Sequence, residues 1–87
     1  MSITYVVTSA AYGALAGGNE NNTQAANVTG TLQTLLNQNP NGVVTINNTT
    51  MGGDPSKGNT KHFGAIVVVN GSSQAFACQE GQTIDFS

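Results

Sequence analysis

Two strand-like segments separated by Asn70-Gly71 constrain the fold of this chain more than any other feature of its sequence. The segments span residues 61–69 and 72–78, and the first is rich in β-branched side chains. An Asn-Gly pair between strands favours a type I′ turn, whose two central residues both need a positive φ. Such a two-residue loop fixes the register of the β-hairpin. The expected pairs are Val69 with Ser72, Val67 with Gln74, Ala65 with Phe76 and Phe63 with Cys78.

Both faces of the expected hairpin carry apolar side chains. One face holds Phe63, Ala65, Val67, Val69, Phe76 and Cys78. The other holds Gly64, Ile66, Val68, Ala75 and Ala77. The small residues of the second face would let a helix approach closely. We therefore expect a helix on one face, and a second sheet layer or a partner subunit on the other.

The rest of the chain is expected to add one helix and three strands. Apolar residues recur at helical spacing from Ala25 to Leu36, which predicts a helix over residues 24–38, capped by Asn22 or Thr23. Further strands are predicted at residues 3–9, 43–48 and 83–86, and long loops at residues 12–22 and 49–60. The fold class is then α+β, a mostly antiparallel β-sheet of about five strands with one packed α-helix, in a single domain over residues 1–87.

Charge excludes several classes of function. Asn, Thr, Gln and Ser supply 34 of the 87 residues, whereas there are two lysines, no arginine and a formal net charge of -2. Nucleic acid and anionic membrane surfaces both demand a basic patch, so neither is expected as a partner. We also expect no membrane insertion, because no segment is apolar enough to span a bilayer. Low net charge favours self-association, since little repulsion opposes it.

The sequence offers little for catalysis or metal binding. Gly53 to Gly58 lacks the Lys-Ser/Thr pair that a phosphate loop requires after its second glycine. His62 has no partner at a ligand spacing, and the hairpin register puts it on the opposite face from Cys78, against a Cys-His dyad. We therefore expect no enzyme, no metal and no cofactor. Without a signal peptide, the expected location is the cytoplasm, with non-classical release as the alternative.

Neutral polar side chains in the two long loops suit a sugar ligand. Sugar hydroxyls are uncharged donors and acceptors, matched by amides, hydroxyls and carboxylates, with an aromatic ring against the apolar face of the sugar. The alternative is that these residues only cap helices and form turns. The candidate ligand-binding residues are Tyr12, Asn19, Glu20, Asp54, Asn59, Lys61 and His62.

A family resemblance favours the sugar interpretation. The Gly-Gly-Asp-Pro turn at residues 52–55 and the Lys-His-Phe strand start at residues 61–63 carry it, together with Tyr12-Gly13 and the closing segment 80–84. In these motifs the chain resembles small α-galactosyl-binding mushroom lectins of the Lyophyllum type, over residues 8–86. It is more distantly similar to the C-terminal domain of some J-domain proteins.

The lectin resemblance implies a non-catalytic homodimer that binds galactose-containing glycans at a shallow surface site. Asp54, Asn59 and His62 would then form hydrogen bonds to the sugar, Lys61 would donate, and Tyr12 would stack on the ring. The J-domain resemblance implies a different class of protein, a protein-interaction or structural module without sugar binding.

Overall fold

A computed structural model of the chain describes residues 3–18 and 21–87, and its fold is α+β, as predicted. It contains one helix, a four-stranded antiparallel sheet of order β2-β1-β4-β5, and a two-stranded sheet of β3 and β6. The elements are β1 (Tyr5–Leu15), β2 (Thr23–Asn27), α1 (Thr29–Gln38), β3 (Val43–Thr45), β4 (His62–Val69), β5 (Ser72–Gln79) and β6 (Thr83–Asp85).

The hairpin of β4 and β5 is confirmed with its register. Val69 pairs with Ser72, and Phe63 pairs with Cys78. Both turn residues have the positive φ that a type I′ turn requires, 50° at Asn70 and 82° at Gly71. Only Gly and a few polar residues adopt this conformation at low cost, which is why the Asn-Gly pair specifies the turn locally.

The predicted start of the helix is wrong, because residues 23–27 form a strand instead. β2 pairs antiparallel with the second half of β1, from Ala11 opposite Asn27 to Leu15 opposite Thr23. The helix begins at Thr29, where the Asn27 side chain accepts hydrogen bonds from the Thr29 amide and hydroxyl. Neither Asn22 nor Thr23 therefore caps it. The predicted end, at Gln38 before Asn39-Pro40, is confirmed.

Other boundaries shift by a few residues. β1 begins at Tyr5 and extends to Leu15, into the loop predicted at residues 12–22. Its pairing with β4 is irregular between Val7 and Ser9. The predicted strand at residues 43–48 keeps only Val43–Thr45, and the last strand ends at Asp85. The described residues thus contain six strands, one more than predicted, because β2 replaces the first turn of the expected helix.

The larger sheet has one buried face and one exposed face. Leu32 and Leu36 of the helix are buried in the same cluster as alternate residues of β1 and β4. This cluster contains Tyr5, Val7, Ala10, Tyr12, Phe63, Ala65, Val67 and Val69, together with Ile46 and Phe86 from the segments that flank the small sheet. The helix therefore covers the Phe63 face, and not the small-residue face that would have allowed a close approach.

We call the uncovered side of the larger sheet the open face. It runs across all four strands, and most of its members are exposed. Its apolar members are Val6, Ala11, Gly13, Leu15, Ala25, Gly64, Ile66, Val68, Ala75 and Ala77, and His62 lies on the same face at the end that carries Leu15. Val6 is 53% exposed and Ile66 is 38% exposed, which is high for side chains of this type.

Candidate functional site

Lys61 anchors the loop that was predicted to bind a ligand. The residue is only 3% exposed, and its Nζ lies 2.8 Å from Asp54 Oδ1 and 3.7 Å from Glu80 Oε1. The same ammonium donates a hydrogen bond to the Ser56 carbonyl at 3.0 Å. Asp54 and the Ser56 carbonyl accept from the cation, and Glu80 adds a second negative charge nearby, which makes burial of the ammonium tolerable.

This ion pair shifts the ionisation of both partners. The hydrogen bond from Lys61 lowers the pKa of Asp54 below its usual value, and the Ser56 amide, which also donates to Asp54 Oδ1, adds to the shift. The hydrogen bond to Asp54 raises the pKa of Lys61, against the opposing effect of burial. Both side chains are therefore charged across the neutral range. Lys61 was predicted to donate to a sugar, but its ammonium is buried and already engaged.

Further hydrogen bonds connect the loop around Lys61 to Glu80, which follows β5, and to β2. Glu80 accepts from the Lys61 amide at 2.9 Å and returns a hydrogen bond from its own amide to the Lys61 carbonyl. The buried Ser56 hydroxyl donates to Gln24 of β2 at 2.7 Å and accepts from the Asn59 amide at 2.9 Å. Sequence reasoning missed Gln24, Ser56 and Glu80, because nothing local marks them as partners of Lys61 or Asn59.

Tyr12 belongs to the core and not to a binding surface. Its side chain is fully buried, and its hydroxyl donates to Asn48 Oδ1 at 2.6 Å. Burial, with the nearby carboxylates of Glu80 and Asp54, raises the pKa of Tyr12 to about 12. The predicted role of Tyr12 as a stacking ring is therefore wrong, since no part of the ring is exposed to a ligand.

Two of the predicted residues line a common surface groove. Asn59 and His62 lie there with Thr60, opposite Ala14 and Leu15 at the end of β1. The groove has a volume of about 330 Å³ and also touches Gly18. Because one amide hydrogen of Asn59 is held by Ser56, the orientation of this side chain is fixed before a ligand arrives. Asn19 and Glu20 lie outside the described residues.

Asp54 lines a different and smaller cavity. This cavity, of about 200 Å³, lies against Ala26 of β2 and the Met51-Gly52-Gly53 turn. The Asp54 carboxylate is bound by Lys61 and by the Ser56 amide on the same oxygen, Oδ1. The predicted hydrogen-bonding residues therefore separate into a groove with Asn59 and His62 and a structural ion pair of Asp54 with Lys61.

Cys78 and His62 do not form a pair. Cys78 pairs with Phe63 in the sheet, so its partly buried thiol lies on the opposite side from the exposed His62. Burial raises the pKa of the Cys78 thiol, which lowers its reactivity at neutral pH. Within residues 3–18 and 21–87, no group of three or more His, Cys, Asp or Glu side chains could hold a metal ion. No helix in this part of the chain is long and apolar enough to cross a membrane.

Comparison with protein-family models, curated proteins and solved structures finds no match to this chain.

Proposed function

We propose that this protein is a non-catalytic, homodimeric carbohydrate-binding protein for galactose-containing glycans. The observation that carries the proposal is the groove in which Asn59, Thr60 and His62 lie beside Leu15. An amide, a hydroxyl and an imidazole can exchange hydrogen bonds with sugar hydroxyls, and Leu15, 43% exposed, offers an apolar surface to the C–H face of the ring. The galactose specificity and the homodimer rest on the resemblance to mushroom lectins.

The buried ion pair supports this proposal through preorganisation. Lys61 lies between two groove residues in sequence, Thr60 and His62, and its contacts to Asp54 and Glu80 hold the segment in place. A site whose side chains are ordered in advance loses less conformational entropy when a ligand binds. Single shallow sites nonetheless bind sugars weakly, so two sites in a dimer would gain avidity on a multivalent glycan surface.

A second candidate function is a protein-interaction module. The exposed apolar open face favours it, because large uncovered apolar patches often mark protein contacts. This candidate predicts a protein ligand and indifference to galactosides.

A glycan array followed by calorimetry with a galactobiose tests the proposal. We expect binding to galactose-terminated glycans, and a loss of at least about tenfold in affinity for Asn59→Ala and His62→Ala, because each removes one hydrogen-bonding group. Lys57→Ala is the matched control, since Lys57 is exposed on the same loop but does not line the groove. Folded protein that binds no galactose-containing glycan would exclude the carbohydrate function and leave the interaction module.

A further inference from the structure

The open face is uncharged as well as apolar. Its exposed members are alanine, glycine, valine, isoleucine and Leu15, bordered by uncharged polar residues such as Ser9, Asn27 and Ser73 and, at the end next to the sugar groove, by His62. The charged side chains in the described part of the chain all lie elsewhere, on loops or on β6. They are Asp54, Lys57, Lys61, Glu80 and Asp85.

We propose that the open face is the contact surface between two copies of this chain, packed sheet against sheet about a two-fold axis. This inference rests on the homodimer of the proposed function and names the surface through which the two chains associate. It does not depend on sugar binding. In a two-fold contact both chains use the same surface. A charged side chain near the axis would therefore lie beside the same charge on the partner and be repelled. A neutral and apolar face is therefore complementary to itself. A patch that selects a different protein commonly carries complementary charges, and this face has none.

Gly64, near the centre of the open face, gives an independent reason for a close partner. Glycine inside a strand costs stability and often marks a place where another backbone approaches. Gly64 lacks the positive φ that would require glycine, and a Cβ atom there would meet only the Phe76 carbonyl oxygen, at an ordinary 4.0 Å. Its own chain therefore leaves room for a side chain. Gly13 differs, because a Cβ there would overlap Gln24 and Ala25 of β2.

The size of the open face is adequate for a specific dimer. Four strands at about 4.8 Å spacing give a width of roughly 19 Å, and their lengths of 11, 5, 8 and 8 residues average eight, which at about 3.3 Å per residue is roughly 26 Å. The projected area is then about 500 Å² per chain, or about 1,000 Å² for two, which reaches the lower bound of about 1,000 Å² for a specific interface.

Sedimentation equilibrium on the full chain tests the contact. We expect a dimer of twice the 8.9 kDa chain mass. Ile66→Asp and Ile66→Lys should each weaken dimerisation at least about tenfold, because each buries two like charges in the interface. Val43→Asp and Val43→Lys are the matched controls: Val43 is 43% exposed and also in a strand, but it lies on the small sheet. They should leave the dimer unchanged.

Gly64→Val provides a test that loss of folding cannot imitate. Valine favours a strand, so the variant should unfold at the same or a higher temperature at dilutions where the chain is monomeric. The added side chain should nevertheless weaken the dimer at least about tenfold, because it separates the two sheets. Circular dichroism on all variants confirms that they are folded.

The outcomes separate this inference from the proposed function. A wild type that stays monomeric at the highest attainable concentration overturns the inference, and so does a dimer that Ile66→Asp and Gly64→Val leave intact. If Ile66→Asp is monomeric and still binds galactobiose with unchanged affinity, both the interface and the carbohydrate function are supported. A dimer weakened by these variants that binds no glycan supports the interface while rejecting the carbohydrate function.

Discussion

Lys61 Nζ lies 2.8 Å from Asp54 Oδ1, and this contact joins the start of β4 to the Gly-Gly-Asp-Pro turn. The two residues were both predicted to bind a ligand. Their charges instead face each other, with the Lys61 side chain almost completely buried. The pair consequently determines how the groove segment between them responds to pH and to mutation.

Acid should destabilise the protein partly through Asp54. Its pKa is lowered on folding from a usual value of 3.8, so its contribution is present above that value and is lost as pH falls through the lower folded pKa. Asp85 should act in the same direction, because hydrogen bonds from Ser87 lower its pKa too. Urea unfolding between pH 5 and pH 2 should show a shallower pH dependence for Asp54→Asn than for wild type. Identical slopes in the two proteins would contradict the Asp54 assignment.

Replacement of Lys61 by methionine should destabilise the protein strongly. The substitution keeps much of the buried aliphatic stem but removes the cation that Asp54 and the Ser56 carbonyl both accept from, which leaves each of them with one backbone amide donor. Lys57→Met is the control, because Lys57 is exposed and should change the free energy of unfolding by less than about 0.5 kcal/mol. Chemical denaturation measures both. Equal effects of the two substitutions would show that the ion pair contributes nothing.

The raised pKa of Lys61 predicts that stability is lost as pH rises, whereas the lowered pKa of Asp54 predicts a loss as pH falls. The pKa of Lys61 is raised on folding from 10.5, so its contribution is complete below that value and is lost as pH rises through the higher folded pKa. The stability of wild type should therefore fall above pH 10.5 more steeply than that of Lys61→Met. Thermal unfolding at a series of alkaline pH values distinguishes the two proteins, and parallel curves would argue against the assignment.

The two tyrosines should respond differently to loss of the hydroxyl. Tyr12→Phe removes the donor to Asn48 and should cost about 1–3 kcal/mol of stability. The buried Tyr5 hydroxyl has no hydrogen-bond partner among residues 3–18 and 21–87, so Tyr5→Phe should be neutral or slightly stabilising. Denaturant midpoints of the two variants measure the difference. A larger loss for Tyr5→Phe would reverse this interpretation of both hydroxyls.

The hairpin could be predicted because its information is local. The backbone preferences of Asn70 and Gly71 are sufficient to specify the turn, and the register of β4 and β5 follows from the two-residue loop. The start of the helix could not be predicted in the same way. Ala25 and Val28 fit a helical spacing as well as they fit a strand followed by a helix. The choice depends on pairing of β2 with β1, which lies outside any local window.

The candidate site brings together only part of the predicted set of residues. Asn59 and His62 do share a surface groove. The burial of Lys61 depends on Asp54 and Glu80, which come together only when the chain has folded. Tyr12 was misjudged because the predicted loop at residues 12–22 begins inside β1, where alternate side chains face the core.

The strand order β2-β1-β4-β5 predicts an order of folding events. The hairpin of β4 and β5 closes over two residues and should form in about 1–10 μs. The pairing of β1 with β4 joins Tyr5 to Val69 and must first close a loop that contains β2, the helix and β3. We therefore expect slow, single-exponential refolding limited by the docking of β1 onto a hairpin that has already formed. β1 and β4, which are neighbours in the centre of the sheet, are then the last of its strands to pair.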